Sequence, residues 1–130
     1  FRVTVYDNRK ELADLAHFPA AEQVIYGDYE DISAKVELTK DDYVIIMTPA
    51  HQADFALLEQ VLRYETRYVG CIGSRHKIAR TQELLREAGI SEEAILSVHS
   101  PIGIPIGAET PAEIAISIAA ELIKCRAQEN

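Results

Sequence analysis

The chain has 130 residues, a length typical of one domain, and its 48% hydrophobic and 26% charged residues are an ordinary globular balance that permits a core of useful size. With 21 acidic against 13 basic residues the net charge is -8, so the summed field repels phosphate and excludes general affinity for nucleic acid or an anionic membrane surface. A local basic cluster can still bind one small anion.

The first third of the chain predicts two short strands. Hydrophobic residues alternate with polar ones over residues 1–6, which predicts a strand that ends in the turn residues 7–9. Residues 11–18 predict a short helix, and residues 23–26 predict a second strand. Residues 29–36 are ambiguous, a helical turn being one interpretation.

The middle of the chain alternates buried strands with helices. Continuous apolar runs of strand length over residues 43–47 and 67–72 are typical of buried parallel strands. Apolar residues at helical spacing over 55–62 predict a helix between them. A second helix is predicted over 75–88, with Gly89 placed as its C-terminal cap.

The last part of the chain predicts a structured loop followed by a long helix. Two prolines and two glycines lie in residues 97–107, which favours a loop. Thr110, Pro111 and Glu113 predict a helix start with an N-cap, a first-turn proline and a capping box. The helix should run to about residue 126, with an apolar surface wide enough to pack on a sheet and on a partner. Its apolar positions are Ile114, Ala115, Ile118, Ala119, Leu122 and Ile123.

This alternation of strands and helices predicts a parallel α/β sheet with right-handed crossovers. No repeat, low-complexity segment or linker divides the sequence, so residues 1–130 are predicted to form a single domain. Cys71 and Cys125 fit neither a metal-ligand spacing nor a disulfide framework, and no signal peptide or transmembrane-length run is present, so we expect a cytoplasmic protein. Cys71 lies within a predicted buried strand and is interpreted as a packing residue.

The strongest candidate anion site is Gly73, Ser74, Arg75 and Lys77, where a buried strand turns into a helix. Glycine permits close approach of a ligand to the backbone, and the free amides and dipole of a helix N-terminus attract negative charge. The alternative is an ordinary serine N-cap followed by solvated bases. Cations at a helix N-terminus oppose the dipole, so stability alone does not favour them.

Two further candidates follow earlier strands. Asp7 ends the first predicted strand, where an acid can accept hydrogen bonds from ribose hydroxyls; it can equally be a turn aspartate. Arg9 can bind a phosphate bidentately or be a surface residue. Thr48 and His51 follow the strand at 43–47, at the strand end where ligands of open α/β sheets bind. Thr48 can donate to a phosphate or a pterin edge, and His51 can ligate, donate a proton or merely begin a helix.

The start of the last helix holds the remaining candidates. A capping box explains Thr110 and Glu113 structurally, although Thr110 is kept as a candidate ligand contact. Glu109 has no such explanation and can bind a ligand amine or pair with Arg75. No catalytic triad, paired catalytic carboxylates or zinc spacing is visible in the sequence.

Three stretches together resemble the xanthine dehydrogenase accessory protein family, also called XdhC/CoxI. They are residues 3–9 (VTVYDNR), 68–77 (YVGCIGSRHK) and 101–115 (PIGIPIGAETPAEIA). The resemblance covers nearly the whole chain and corresponds to the family's C-terminal Rossmann-like domain. The long third stretch is the most specific of the three.

The resemblance implies a three-layer Rossmann-like parallel sheet and a function as a maturation factor. Members assist molybdenum hydroxylases such as xanthine dehydrogenase: they bind the molybdenum cofactor (molybdopterin), support its sulfuration and help insert it. The implied partners are the apo molybdenum hydroxylase and the cofactor-sulfurating enzyme, and the apolar last helix suggests a homodimer. Such a chain is not expected to be a stand-alone enzyme.

The chain departs from the family pattern in three places. The family's separate N-terminal domain with a cysteine is absent, as are the first strand and glycine-rich turn that precede the position of Phe1. We therefore expect a further strand, from an upstream part of the same polypeptide or from a neighbouring chain, to complete the sheet between the strands at 1–6 and 43–47. In the motif at residues 48–54, Pro49 replaces a histidine.

Two other functions remain open. One is an NAD(P)-dependent oxidoreductase, for which the fold is suited but no hydride-transfer residues stand out. The other is a non-catalytic dimerisation module.

Overall fold

The structure is a computed structural model and describes residues 1–128. The chain divides into two compact units, Phe1–Glu37 and Leu38–Asn130. Each unit carries one pair of parallel strands.

The first unit contains strands β1, Thr4–Asp7, and β2, Gln23–Tyr26, followed by a short 3-10 helix, Ile32–Ala34. The two strands pair in parallel, with Thr4 opposite Gln23 and Asp7 opposite Tyr26. The strand predicted over 23–26 is confirmed, and the first strand begins later than its alternation indicates.

The helix predicted over residues 11–18 is wrong, because this segment forms a series of turns. The carboxylate of Asp14 accepts hydrogen bonds from the amide of His17 at 3.0 Å and from its ring Nδ1 at 2.8 Å. Such local side-chain bonds offer the backbone an alternative to the helical ladder.

The second unit contains strands β3, Tyr43–Ile46, and β4, Tyr68–Cys71, joined through helix α1, His51–Val61. The strands pair in parallel, from Tyr43 opposite Tyr68 to Ile46 opposite Cys71. On the other side of β4, the amide of His99 donates to the Val69 carbonyl at 2.8 Å. All four residues of β4 are buried, as its apolar sequence predicts.

Three more helices follow: α2, Arg75–Glu87; α3, Glu92–Ser97; and α4, Pro111–Ala127. Each begins at a hydroxyl N-cap whose side chain accepts a backbone N–H of the first turn. Gly89 follows α2 with φ +87°, a backbone conformation that favours glycine at a helix end. The predicted helix over 75–88 and the predicted capping box are both confirmed.

The core of the second unit lies against β4. One face of α4 packs Ile118 and Leu122 on Tyr68, which confirms the predicted contact between this helix and a strand. The other face leaves Ile116 62% and Ile123 50% exposed. This second apolar face of α4 therefore stays largely uncovered within the described residues.

The described strands form two separate two-stranded parallel sheets, β1 with β2 and β3 with β4. This is the incomplete sheet of a partial Rossmann-type α/β fold, and the predicted fold class is confirmed. The single domain remains a prediction. Among residues 1–128, no helix is both long and apolar enough to cross a membrane.

Candidate functional site

A cleft in the second unit lies where β3 and β4 end and helices α1 and α2 begin. In parallel α/β sheets ligands bind beyond the carboxyl ends of the strands, which is where this cleft is placed. Its apolar floor includes Leu58, Leu85 and Ile95. Its polar lining consists of His51, Asp54, Cys71, Gly73, Lys77, Thr81, Gln82 and Ser100.

The N-terminus of α2 borders the cleft, which Gly73 and Lys77 line. Ser74 is the N-cap, and its hydroxyl accepts the amide of Lys77 at 3.4 Å. The side chains of Arg75 and Lys77 are exposed and make no hydrogen bond or ion pair with any residue in 1–128. A Cβ added to Gly73 would contact only Ile78, at 3.9 Å, so the space beside this backbone is open.

The four residues of the predicted cluster, Gly73, Ser74, Arg75 and Lys77, remain together at one helix start. The next base along α2, Arg80, instead pairs with Glu83 at 3.2 Å. The first turn of α2 holds no acidic side chain. Free cations and first-turn amides therefore both favour an anion at this corner.

Thr48 is held by a residue that sequence reasoning missed. Its amide and its hydroxyl both contact Oδ1 of Asp54, at 3.1 and 2.7 Å. The hydroxyl also lies 2.8 Å from the Ala50 carbonyl, so its single proton is engaged within the protein. Asp54 lies in the first turn of α1 and is only 7% exposed. An acidic residue shortly after a strand end was the available signal for this contact.

His51 is the first residue of α1 and lies beside Thr81 of α2. The Thr81 hydroxyl donates to the Lys77 carbonyl at 2.9 Å, and its oxygen lies 3.3 Å from Nε2 of His51. With the threonine proton on the Lys77 carbonyl, Nε2 of His51 is the donor in this contact. In that tautomer of neutral His51, Nδ1 is a hydrogen-bond acceptor.

Cys71 ends β4 beneath the cleft. Burial, with a smaller contribution from the nearby Asp54 charge, raises the pKa of its thiol to about 12. The thiol stays protonated at neutral pH, and a protonated thiol is a poor nucleophile. This environment agrees with the interpretation of Cys71 as a packing residue.

Thr110 and Glu109 serve the start of α4. The Thr110 hydroxyl accepts the Glu113 amide at 3.2 Å, and Oε1 of Glu113 accepts the amides of Thr110 and Glu109 at 3.0 and 2.9 Å. The bond from the Thr110 amide, followed by that from Glu109, lowers the pKa of Glu113. The proposed pairing of Glu109 with Arg75 is not formed, because both side chains are exposed and without partners in residues 1–128.

Asp7 and Arg9 lie in the first unit, where they bind each other. Arg9 donates from Nε to Oδ1 of Asp7 at 3.0 Å and from Nη2 to Oδ2 at 2.8 Å. This side-chain bond, more than the backbone bond of Arg9, holds the pKa of the Asp7 carboxyl below its ordinary value. Both oxygens of Asp7 therefore already accept from Arg9, and the residue is only 5% exposed, so this carboxylate is not an open ribose site.

A second polar cluster that sequence reasoning missed ties α4 to β4. Oε1 of Glu121 accepts the Tyr68 hydroxyl at 2.5 Å and the Gly103 amide at 3.2 Å, and it lies 3.5 Å from Nδ1 of His99. Burial, then the bond to Glu121, raises the pKa of Tyr68 well above its ordinary value. His99 stacks on the Tyr68 ring at 4.5 Å between centroids. These contacts are long-range in sequence, and no local pattern indicates them.

Residues 1–128 contain no group of three or more His, Cys, Asp or Glu side chains arranged to hold a metal ion. The chemistry that the described cleft supports is recognition of an anion by free cations and amides, with hydrogen-bond acceptors nearby.

The family model described as the XdhC Rossmann domain matches residues 1–122. "Uncharacterized protein YqeB" of Escherichia coli K12 is 33% identical over 129 residues, covering 97% of this chain and 23% of that protein. A Bacillus subtilis 168 protein named as a probable xanthine dehydrogenase subunit is 31% identical over 126 residues, covering 97% of this chain and 36% of that protein.

A crystal structure of a protein named xanthine dehydrogenase from Bacillus halodurans is similar over 100% of this chain and 37% of its own, with a TM-score of 0.85 and 34% identity. The chain thus spans between 23% and 37% of these relatives.

Proposed function

The chain belongs to the XdhC Rossmann domain family, and we propose that it is part of an accessory protein for a molybdenum hydroxylase of the xanthine dehydrogenase type. In this proposal it binds a phosphorylated cofactor, molybdopterin or a nucleotide, and assists insertion of the molybdenum cofactor. Two relatives that carry the name xanthine dehydrogenase support the association with that enzyme.

The observation that carries the proposal is the unpaired basic start of α2. Arg75 and Lys77 have no acidic partner in residues 1–128, and the backbone at Gly73 is open. A phosphate at this corner would receive the first-turn amides and both side chains as donors. These residues therefore fit the phosphate of a pterin or nucleotide cofactor. A bound molybdopterin would supply the redox chemistry, and Gly73, Ser74, Arg75 and Lys77 would hold and orient its phosphate.

The geometry gives less support to an NAD(P)-dependent oxidoreductase. The carboxylate that would hold a ribose, Asp7, is bound on both oxygens by Arg9. No observation in the described cleft favours hydride transfer over binding alone.

The partners follow from the family. We expect the exposed face of α4, with Ile116 and Ile123, or the loop before it to contact a second copy or the apo hydroxylase. A cofactor-sulfurating enzyme and a cytoplasmic location complete the proposal.

The test is binding of inorganic pyrophosphate, ADP and purified molybdopterin, measured by titration calorimetry. The double variant Arg75→Ala, Lys77→Ala should lose about tenfold or more in affinity, since each cation contributes a charge-assisted bond. Lys10→Ala, Lys124→Ala is the control with the same change in net charge, because both lysines are exposed and lie outside the cleft. Equal losses in the two double variants, or no saturable binding by the wild type, would overturn the proposal.

A further inference from the structure

We propose that the exposed face of α4 binds a second copy of this chain, with the two α4 helices packed antiparallel. The inference rests on the proposed function and deepens it, because that proposal leaves this face to a second copy or to the apo hydroxylase. It commits to one occupant and to one orientation. The phosphate site at the start of α2 takes no part in the contact.

The first observation is an exposed apolar stripe along α4. Ile116 is 62% exposed and Ile123 is 50% exposed, and Ala112 and Ala119 are also exposed on this stripe. The steps between these four positions are four, three and four residues, which is the heptad spacing of helices that pair lengthwise. The residues by which α4 packs on β4 lie on its other face, so the stripe is left for a partner.

The second observation is that one flank of the stripe carries opposite charges at its two ends. Glu113 lies in the first turn of α4 and Lys124 in its last turn. They are 11 positions apart, about three helical turns, so both side chains lie on the same flank. Both are exposed, and Lys124 makes no hydrogen bond or ion pair with any residue in 1–128. The side-chain bonds of Glu113 within that range use Oε1 alone, which leaves Oε2 for a partner.

These charges favour an antiparallel pair over a parallel one. In an antiparallel pair, Glu113 of each copy lies level with Lys124 of the other, and the two-fold symmetry makes this attraction occur twice. A parallel pair would place like charges level with each other and would align the two helix dipoles.

The same antiparallel register also fits the apolar side chains together. When Glu113 is level with Lys124 of the second copy, Ile123 of that copy lies between Ala112 and Ile116. Large side chains then fill the spaces beside small ones, as in other closely packed helix pairs.

The occupant that fits is a second copy because the surface is complementary to itself. A two-fold contact requires one surface to offer both a group and the partner of that group. Helix α4 does so twice, since it carries both signs of charge and both the large and the small residues that interlock. One pair of 17-residue helices is a small interface, so we expect a dissociation constant on the order of 10 µM.

The test is the oligomeric state of the 130-residue chain, followed by sedimentation velocity from about 1 to about 300 µM. Ile116→Glu should weaken self-association about tenfold or more, because it buries a charge within the stripe. Leu96→Glu is the matched control, since Leu96 is 66% exposed on α3 and the same change is made away from α4. Circular dichroism checks that both variants fold. Equal losses in the two variants would overturn the inference.

A charge reversal tests the flank contact separately. Lys124→Glu places an acid level with Glu113 of the second copy at both ends of the pair, so self-association should weaken about threefold to tenfold. Lys10→Glu is the control, because it makes the same change in net charge at an exposed lysine in the first unit. If Lys10→Glu weakens the dimer as much, general repulsion between two acidic chains explains the loss and the proposed register is wrong.

Cysteine crosslinking tests the orientation. In the antiparallel register Ala119 lies beside its counterpart, whereas the two Ala112 residues lie about 20 Å apart, at opposite ends of the pair. A disulfide requires α-carbons within about 7 Å, so oxidation with copper phenanthroline should crosslink Ala119→Cys and not Ala112→Cys. The wild type, with Cys71 and Cys125, gives the background. Crosslinking of Ala112→Cys as readily as Ala119→Cys would refute the antiparallel pair.

The outcomes for this inference and for the proposed function are distinguishable, because the pyrophosphate titration is a separate measurement. A wild type that stays monomeric up to about 300 µM and binds pyrophosphate refutes this inference and leaves the phosphate site standing. A wild type that dimerises as described but binds no phosphate ligand refutes the proposed function and leaves the α4 contact standing.

Discussion

Replacing Glu121 by alanine should destabilise the fold by about 3 kcal/mol, because it removes the acceptor shared by the buried Tyr68 hydroxyl and the half-buried Gly103 amide. The side chain of Glu121 is 14% exposed, and its Oε1 accepts the Tyr68 hydroxyl at 2.5 Å and the Gly103 amide at 3.2 Å. Tyr68 is 2% exposed, so water has little access to the freed hydroxyl. The perturbation therefore tests whether this cluster holds α4 on β4.

The magnitude follows from the number of groups left without a partner. A buried donor that loses its acceptor costs about 1–3 kcal/mol. Glu121→Ala leaves the buried Tyr68 hydroxyl at about 2 kcal/mol and the half-buried Gly103 amide at about 1 kcal/mol without an acceptor. Tyr68→Phe removes one donor and leaves the Gly103 amide bonded to Glu121, so a loss of about 1.5 kcal/mol is expected. Glu121→Gln keeps an acceptor oxygen and should fall between wild type and Glu121→Ala.

The assay is urea unfolding followed by circular dichroism, with a check that the m-value is unchanged. Glu87→Ala, an exposed acid on α2, is the control and should change stability by less than about 0.5 kcal/mol. The reasoning is refuted if Glu121→Ala is no more destabilising than Glu87→Ala, or if Tyr68→Phe is as damaging as Glu121→Ala.

Three further predictions follow from the same structure. Burial and the bond to Glu121 raise the pKa of Tyr68 in the folded protein. The neutral Tyr68 hydroxyl therefore stabilises the fold below the tyrosine pKa of the unfolded chain, about 10, and this stabilisation is lost as the pH rises above that value. Wild type should accordingly lose more thermal stability than Tyr68→Phe between about pH 9 and pH 11. Burial raises the pKa of the Cys71 thiol to about 12, so iodoacetamide at about pH 8 should alkylate the half-buried Cys125 first. Peptide mass spectrometry measures the order of alkylation, and the reverse order would contradict the buried position of Cys71. Thr110→Ala should cost about 1 kcal/mol in urea unfolding and Thr110→Ser much less, since serine can keep the N-cap bond; equal losses would count against the capping box.

The elements that could be predicted are those with a strong local signal. Strand β4 follows from its apolar run, and helices α2 and α4 follow from their N-caps and helical periodicity. These signals lie within each segment and do not depend on distant residues. The segment 11–18 has a weaker signal, and a local competitor, the bond from His17 to Asp14, replaces the helix there with turns.

The same distinction applies to the candidate site. Gly73, Ser74, Arg75 and Lys77 are neighbours in sequence and remain neighbours at one helix start, so their grouping could be predicted. The contact between His51 and Thr81 joins residues 30 positions apart. The contact depends on how α1 packs against α2, and the hydrophobic periodicity of the sequence does not predict that packing.

The bonding of Asp7 shows a different limit. Sequence reasoning placed it correctly at the end of a strand, but its partner is Arg9, which was itself a candidate for phosphate. Two residues that each had a ligand interpretation thus satisfy each other. The position of a residue can be predicted from local sequence, whereas its availability depends on the neighbours that reach it.

The charges at the helix starts of this chain support the proposed anion site at Arg75 and Lys77. Helices α1, α3 and α4 all have an acid in the first turn, and α4 also has bases in its last turn, as the helix dipole favours. Helix α2 has the opposite arrangement, with bases and no acid in its first turn. Such cations oppose the dipole by a few tenths of a kcal/mol or more each, so folding gives no reason to place them there. Replacing both by alanine should therefore leave thermal stability equal or slightly higher while it removes anion binding. A clear loss of stability would show that the two side chains serve the fold, and the argument for a phosphate at this corner would lose its main support.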